Sequence, residues 1–304
     1  MALDTSAMSA QTALLSDKLI TKAIANAATA QLLISSQNFQ SGVKTSGAVL
    51  KMSANIVVQD GATCSRNPLD NSVFSDTKIE VAPLKTNDNI CAKTFYNTYL
   101  QSKVSKGQND ETIDGAVIEA ITSKKIEAIG AYNERLLWSG DKALAGSNEL
   151  HFIDGIRKQA KTGGATLLTV TTGSTISTLS KLQEAYLKTN INVRHDEDFY
   201  AFIGEDTYDY ILMDLAKLNV FKPVEDNKLY GSRAKFQVVP GLNGTGEVYF
   251  GKLENLQLGT DGEGDMDTVQ IKESPIDQNW FMDFNWTLGI KVIYPEEFAY
   301  AVGI

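Results

Sequence analysis

Cysteine and histidine, the residues that most often carry redox and metal chemistry, are scarce in this chain. Among its 304 residues, Cys64 and Cys91 are the two cysteines, too few for a disulfide framework and too far apart for a CxxC motif. We therefore expect free thiols in a reducing cytoplasm. The two histidines, His151 and His195, have no second histidine three or four residues away. A metal site would therefore have to be rich in carboxylates.

Long apolar runs are also absent, which bears on membranes and secretion. No stretch approaches the roughly 18 consecutive apolar residues that a membrane-spanning helix needs. Residues 1–5 lack a basic region followed by an apolar core, so we expect no secretion signal. The sequence predicts no contact with a membrane.

Positive charge is in deficit, since 28 Lys and Arg against 37 Asp and Glu give a net charge of −9. Tight nucleic-acid binding draws on clustered basic residues that neutralise phosphates, so this charge argues against it. The densest basic cluster, residues 157–161, lies between Gly155 and Gly163 and predicts a solvated loop.

The short motifs of common catalytic and cofactor sites are missing too. Residues 261–267 are acidic like a calcium loop, but Met266 and Lys272 stand where Gly and Glu are required. Residues 241–246 lack a GK[ST] and a following helix, so they predict a hairpin turn. Residues 195–198 precede a short strand and predict a solvated loop. With no GxSxG elbow either, we predict no enzymatic activity, no cofactor and no metal.

What the chain does have is an unusually long alternation near residue 286. Large apolar residues occupy every second position from Trp280 to Val292, which is the period of a strand with one buried face. At about 3.3 Å per residue, a continuous strand would run roughly 43 Å. The alternative is two ordinary strands that break near Gly289.

Two segments have the apolar spacing of long helices, residues 8–34 and residues 111–137. Asn109 or Asp110 can cap the second helix, and Gly140 ends it. At roughly 40 Å, this helix matches the terminal strand in length. We therefore expect the apolar face of the strand to pack beneath the helix.

Shorter elements fill the rest of the chain. Residues 49–58 and 78–84 predict two strands joined by a long loop, either a hairpin arm that projects from the body or an ordinary surface hairpin. Downstream, strands alternate with helices, which favours an α/β core. The predicted strands are 165–172, 199–203, 235–239, 247–250 and 268–273, and the helices are 175–188 and one capped by Asp206 and extending to Leu218.

Several of these segments together resemble the major capsid protein of tailed bacteriophages, which has the Hong Kong 97 type of fold. Residues 133–141 are similar to the end of the long spine helix of that family, and residues 152–156 to the step that follows. Residues 198–204 look like the strand of that family that leads directly into a helix. Residues 292–299 look like its terminal strand and the segment after it. The resemblance covers roughly residues 76–304, in the order of elements more than in identities, and a second glycine usual in the family is displaced to Gly146.

The resemblance implies an α+β fold in four parts. Residues 1–48 would be an N-terminal arm and residues 49–86 an extended hairpin loop. Residues 87–163 with 276–304 would form a peripheral domain that holds the long spine helix, and residues 164–275 an axial α/β domain. The arm is too short for an attached scaffolding domain, so we expect any scaffold to be a separate protein. No matched set of Lys, Asn and Glu supports covalent cross-links.

The resemblance also implies a function and partners. The chain would be a homo-oligomer that builds capsomers and a full icosahedral shell, encloses DNA without sequence-specific binding, and meets portal, scaffolding or decoration proteins. It would belong to the virion and assemble in the host cytoplasm. Candidate inter-subunit contacts are Asn67, Pro68, Asp70 and Phe74 in the hairpin loop. The alternatives are an encapsulin-like nanocompartment shell and, less favoured, an α/β enzyme.

Overall fold

A computed structural model describes the fold of residues 27–59, 69–91, 115–171, 176–218, 228–261, 268–274 and 279–304. The helices of this part of the chain are α1 (Ala28–Ser35), α2 (Gly115–Ser139), α3 (Ile156–Gly163), α4 (Thr178–Lys188), α5 (Ile191–Arg194) and α6 (Glu205–Lys217). The strands are β1 (Phe39–Gln40), β2 (Ser46–Asn55), β3 (Asn71–Glu80), β4 (Ala82–Cys91), β5 (Thr166–Leu168), β6 (Phe199–Ile203), β7 (Lys235–Val238), β8 (Glu247–Lys252), β9 (Leu256–Gly259), β10 (Thr268–Ser274), β11 (Asn279–Val292) and β12 (Ala299–Val302). None of these helices is both long and apolar enough to cross a membrane.

The strands form two five-stranded sheets and one separate hairpin. The first sheet has the order β1-β9-β11-β10, with β4 also paired to β11. The second has the order β5-β12-β8-β6-β7, and β2 pairs with β3 alone. The hairpin is antiparallel over ten residue pairs, from Ser46 opposite Glu80 to Asn55 opposite Asn71.

Strand β11 is continuous, so the alternative of a break near Gly289 is wrong. The alternate apolar side chains from Trp280 to Val292 are all buried, as their period predicted. The pairing partner nevertheless changes at the suspected position, since β4 pairs with residues 279–288 and β9 with residues 289–292. Thr287 and Gly289 are buried as well, so both faces of the strand are covered where the partner changes.

Gly289 allows the partner to change because the β3–β4 connection crosses directly over it. A Cβ atom at this position would lie 2.2 Å from the carbonyl oxygen of Glu80 and 2.9 Å from the Cα of Val81. Both are backbone atoms, which cannot rotate away. A residue without a side chain is therefore required here for close packing.

Helix α2 packs over the apolar face of β11, as the sequence predicted. Ile126, Ile129 and Leu136 of the helix share one core with the buried side chains of the strand. The indole Nε1 of Trp286 donates a hydrogen bond of 3.1 Å to Oδ1 of the buried Asn133. The helix ends at Ser139, next to the predicted terminator Gly140, whereas its predicted caps lie outside the described residues.

A buried carboxylate joins α1 to α2. The α1 N-cap, Ala27, has no side chain able to cap the helix, and Glu134 of α2 takes over this role. One carboxylate oxygen accepts from the backbone N–H of Thr29 at 3.0 Å, and the other from its Oγ1 at 2.6 Å. Trp138 Nε1 donates to the same hydroxyl at 2.7 Å. The described part of the predicted arm, residues 27–48, thus begins on the core of its own chain.

The second sheet is buried on both faces. Phe202 and Tyr249 face Trp138 of α2, with ring centroids 5.3 and 5.7 Å from its indole. On the opposite face, Phe199 and Phe250 pack in a second core with helices α4 and α6. Every residue of β6 except Tyr200 is buried, which agrees with the short buried strand predicted at residues 199–203.

Three local predictions are wrong. Residues 241–246 do not turn a hairpin, because β6 lies between β7 and β8, parallel to one and antiparallel to the other. Asp206 does not cap α6, whose N-cap is Gly204; its Oδ2 instead accepts from the backbone N–H of Gly244 at 2.9 Å. Residues 157–161 form part of helix α3 rather than a solvated loop.

Both sheets contain strands from each side of the predicted domain boundary between residues 275 and 276. Strands β9 and β10 precede it but belong to the first sheet, whereas β12 follows it and lies between β5 and β8 in the second. Antiparallel pairing over Ala299–Val302 and Glu247–Phe250 fixes β12 there. The chain therefore passes between the two sheets more than once.

We expect Gly289→Ala to lower the free energy of unfolding by about 1–3 kcal/mol, the typical cost of forcing a methyl group into a packed site. Chemical denaturation of the purified protein measures it. The matched control is Gly146→Ala, where a Cβ would meet nothing within 4 Å and a change within about 0.5 kcal/mol is expected. Equal midpoints for the two variants would contradict the proposed crossing.

Burial raises the pKa of the Glu134 carboxyl above its usual value, and the hydrogen bonds from Thr29 offset only part of this effect. When folding raises the pKa of a carboxyl, the protein loses folding stability as the pH rises through that folded pKa. Glu134→Gln removes the titration. We therefore expect the unmodified protein to lose more stability than Glu134→Gln between pH 4.5 and neutral pH. Parallel pH profiles of the unfolding free energy would refute this.

Candidate functional site

The β2–β3 hairpin exposes more large apolar side chains than a free surface normally carries. Met52 lies directly opposite Phe74, and both are more than half exposed, at 51% and 61%. Leu50, two residues before Met52, shares this face of the hairpin because side chains alternate along a strand. A contiguous apolar patch of this kind usually marks a contact with another protein. The exposed apolar side chains of the hairpin are Leu50, Met52, Ile56, Val57, Val58, Leu69, Val73 and Phe74.

The opposite face of the hairpin is anchored at its base. Val49 and Ile79 are buried together with Val43 and Val81 in a small core of their own. The backbone N–H of Val81 donates to the carbonyl oxygen of Thr45 at 3.1 Å. The base is therefore held by apolar packing.

Tyr294, just after β11, holds the hairpin from the side. Its Oη donates to the carbonyl oxygen of Met52 at 3.1 Å and accepts from the backbone N–H of the same residue at 3.1 Å. Lys51 lies over the Tyr294 ring, with Nζ 4.9 Å from the centroid, and pairs with Glu296 at 2.7 Å. Burial alone raises the pKa of the Glu296 carboxyl, but the hydrogen bond from Lys51 brings it below the ordinary value.

A second electrostatic contact lies where the hairpin joins the first sheet. Lys142, in the loop after α2, forms an ion pair with Glu80 at the end of β3. That hydrogen bond lowers the pKa of the Glu80 carboxyl. The hairpin is thus tied to the terminal segment on one side and to the loop after α2 on the other.

The predicted contact residues fall at the outer part of the hairpin. Asn67 and Pro68 lie outside the described residues. Asp70 is exposed and its Oδ1 accepts a hydrogen bond from the backbone N–H of Val57 at 2.7 Å. This bond joins the segment after β2 to the segment before β3. Phe74 is exposed on β3. Tyr294 and Lys51 were missed, because nothing in the sequence links residues so far apart.

A broad groove of about 1010 Å³ lies beside α2, on the side of β4. Ile129 and Tyr132 of the helix line one wall, and Leu84 and Trp286 the floor. Phe152, which is partly exposed, stands at the rim. The Oη of Tyr132 donates to the carbonyl oxygen of Glu149 at 2.6 Å and fixes the loop that forms the far wall. The groove is apolar and open, with the character of a protein-binding surface.

The charged cluster at Glu247 is structural rather than chemical. Its carboxylate accepts from Arg157 at 2.9 Å and from Lys161 at 2.7 Å. Burial raises the pKa of Glu247, but these hydrogen bonds and one from Tyr249 outweigh it and lower the pKa to about 2. An ion pair so tightly satisfied fixes α3 against β8. Among the described residues, no cluster of three or more His, Cys, Asp or Glu side chains is placed to hold a metal ion.

Solved phage structures contain chains of the same architecture. A chain of the satellite phage P4 procapsid, which includes the size determination protein, matches with a TM-score of 0.57 and 14% identity over 90% of each chain. A chain of Gordonia phage Cozz matches with 0.57 and 11% identity over 89% of this chain and 85% of its own. One from the capsid asymmetric unit of cyanophage A-1(L) matches with 0.56 and 9% identity over 87% and 90%.

At these identities the likeness concerns the fold, and the predicted α+β fold of the Hong Kong 97 capsid type is confirmed. No protein-family model matches the chain, and no curated protein sequence matches it. The likeness is therefore visible in the arrangement of helices and strands and not in the residues.

We expect Tyr294→Phe to loosen the hairpin without unfolding the body, because it removes both hydrogen bonds to Met52. Each such bond contributes about 0.5–1.5 kcal/mol. Hydrogen exchange should show faster exchange of the Met52 amide, with the protection of β11 unchanged. Tyr210→Phe, at a side chain that is 58% exposed, is the control and should leave both unaltered. Unchanged exchange at Met52 would contradict the anchoring role.

Proposed function

We propose that the chain is the major capsid protein of a tailed phage and that it self-assembles into an icosahedral shell around the DNA genome. The observation that carries the proposal is the capsid fold, which extends over about nine-tenths of the chain and of its structural neighbours. The chain is a structural subunit in this proposal, with no enzymatic role.

The exposed hairpin and the α2 groove supply the chemistry of assembly. The hairpin of one subunit would lie across its neighbour, where its apolar face covers an apolar groove. Burying one exposed Phe or Leu side chain contributes about 1.5–3 kcal/mol. Because each subunit both gives and receives such a contact, modest pairwise interfaces sum to a stable closed shell.

The four-part division remains part of the proposal, with its boundary adjusted to the sheets. The peripheral domain would comprise α1–α3 and the first sheet, including β9 and β10. The axial domain would comprise α4–α6 and the second sheet, including β12, and would meet its neighbours around the capsomer axis. The extended loop, predicted at residues 49–86, would end with β3, because β4 belongs to the first sheet. The arm, predicted at residues 1–48, would be reduced to the residues before α1.

The partners and the setting follow from the same proposal. The net charge of −9 suits a subunit that contains DNA without binding it in a sequence-specific way. Portal, scaffolding and decoration proteins would contact the assembled shell. Assembly would take place in the host cytoplasm and the product would be the virion.

Electron microscopy of the expressed protein, with and without co-expressed neighbouring genes, tests the proposal. We expect closed shells of uniform size from the unmodified chain and from Phe74→Leu, which keeps an apolar side chain at the hairpin. Phe74→Asp should abolish or sharply reduce shells, since each contact would lose about 2 kcal/mol. Circular dichroism should show that both variants remain folded.

Two results would count against the proposal. A subunit that stays monomeric under every assembly condition would overturn self-assembly, and normal shells from Phe74→Asp would overturn the role of the hairpin. Shells that enclose a protein cargo instead of DNA would identify an encapsulin-like nanocompartment, the alternative raised by the sequence.

A further inference from the structure

Helix α2 carries a second groove on the side away from the first, with a volume of about 680 Å³. Small side chains line it along one stripe of the helix: Ala120, Ser123, Gly130 and Ala131. The rim carries the exposed ion pair Lys124–Glu127, at 2.7 Å. Ala28 and Pro240 close one end, beside the buried Glu134. Small residues in a row let another helix approach the backbone closely.

The described chain begins at the closed end of this groove. Ala28, the first residue of α1, lines the groove, and Ala27 before it is 1% exposed. The bonds between Thr29 and Glu134 fix that point against α2. Ala27 has extended backbone angles, with φ −76° and ψ 122°, so the single helix predicted over residues 8–34 is wrong at this position, and α1 begins at Ala28. The first described residues of the chain therefore lie next to the groove.

The sequence of residues 8–26 has the composition that such a groove needs. It contains Leu14, Leu15, Leu19, Ile20 and Ile24 at helical spacing, without Gly or Pro. Apolar side chains in this number require a surface to cover them. From Ala120 to Glu134 the groove spans about 21 Å, whereas residues 8–26 as a helix would span about 28 Å, so the groove is long enough to cover about three-quarters of the segment.

We propose that residues 8–26 form a helix that docks along this second groove of α2 in the same subunit. The contact would cover the small-residue stripe of α2 with the leucine and isoleucine side chains of the segment. It would leave the first groove, on the other side of the helix, free for a neighbouring subunit. The segment is thereby assigned to the body of its own subunit, in addition to the function proposed above.

Disulfide trapping tests the docking, because a disulfide forms only when the two Cα atoms come within about 7 Å. One turn before Ala27 stands Ala23, which should lie near Glu127 if the segment returns along the groove. Ala23→Cys is combined with Glu127→Cys, in a chain whose Cys64 and Cys91 are replaced by serine. A second series places the first cysteine at Ile24, so that the orientation of one side chain does not decide the result.

The matched control is Ala23→Cys with Lys125→Cys. Lys125 lines the first groove, two residues from Glu127, and its substitution likewise removes one surface ion pair, that with Asp88. We expect an intrachain disulfide at Glu127, detected by mass spectrometry of the digested monomer, and little or none at Lys125.

Three outcomes would overturn the proposal: equal trapping at both positions, no trapping at either, or trapping between chains only. The last would place the segment of a second copy in the groove. Electron microscopy of the same variants reports shell formation separately, so a failure of docking and a failure of assembly are distinguishable.

Discussion

The pairing of β11 is the constraint on which the rest of the structure depends. Fourteen residues of backbone run through the core of the first sheet, and a buried strand must find partners for its N–H and C=O groups along its whole length. No single strand supplies them. Strands β4 and β10 pair with residues 279–285 on opposite sides of β11. The pairing with β4 continues to residue 288, and β9 pairs with the strand from residue 289 onward. Gly289, which has no Cβ, gives the β3–β4 connection room to cross.

That crossing explains why the hairpin projects. Strands β3 and β4 are nearly continuous in sequence, interrupted only at Val81, yet β4 lies in the first sheet and β3 leaves it. Once β3 has passed over Gly289 it pairs with β2 alone. The small core around Val49 and Ile79 holds the base, and the bonds from Tyr294 hold the hairpin farther out, at Met52. The outer part keeps its apolar face exposed, which is the property that the proposed assembly would require.

Much of the fold could be predicted from periodicity. The alternation of β11, the apolar stripe of α2 and the strand at residues 199–203 each concern contacts with a continuous core, which imposes a regular pattern on neighbouring residues. The errors have a different origin. Gly-rich residues 241–246 have the composition of a hairpin turn, but β6 lies between the two strands that they connect. Asp206 has the type of an N-cap, but a carboxylate can equally bind the backbone of another loop, here that of Gly244.

The sequence by itself determined most of the longer elements, their order and the one-sided burial of the long strand, because these depend on residues close together in the chain. Tertiary structure decided which strands are neighbours, why Glu134 is buried and what anchors the hairpin. Glu134 caps a helix 105 residues away, and Tyr294 binds Met52 across 242 residues. Such contacts leave no local pattern, since each depends on the packing of the whole chain around β11. The unusually long strand visible in the sequence is thus the axis around which those distant contacts form.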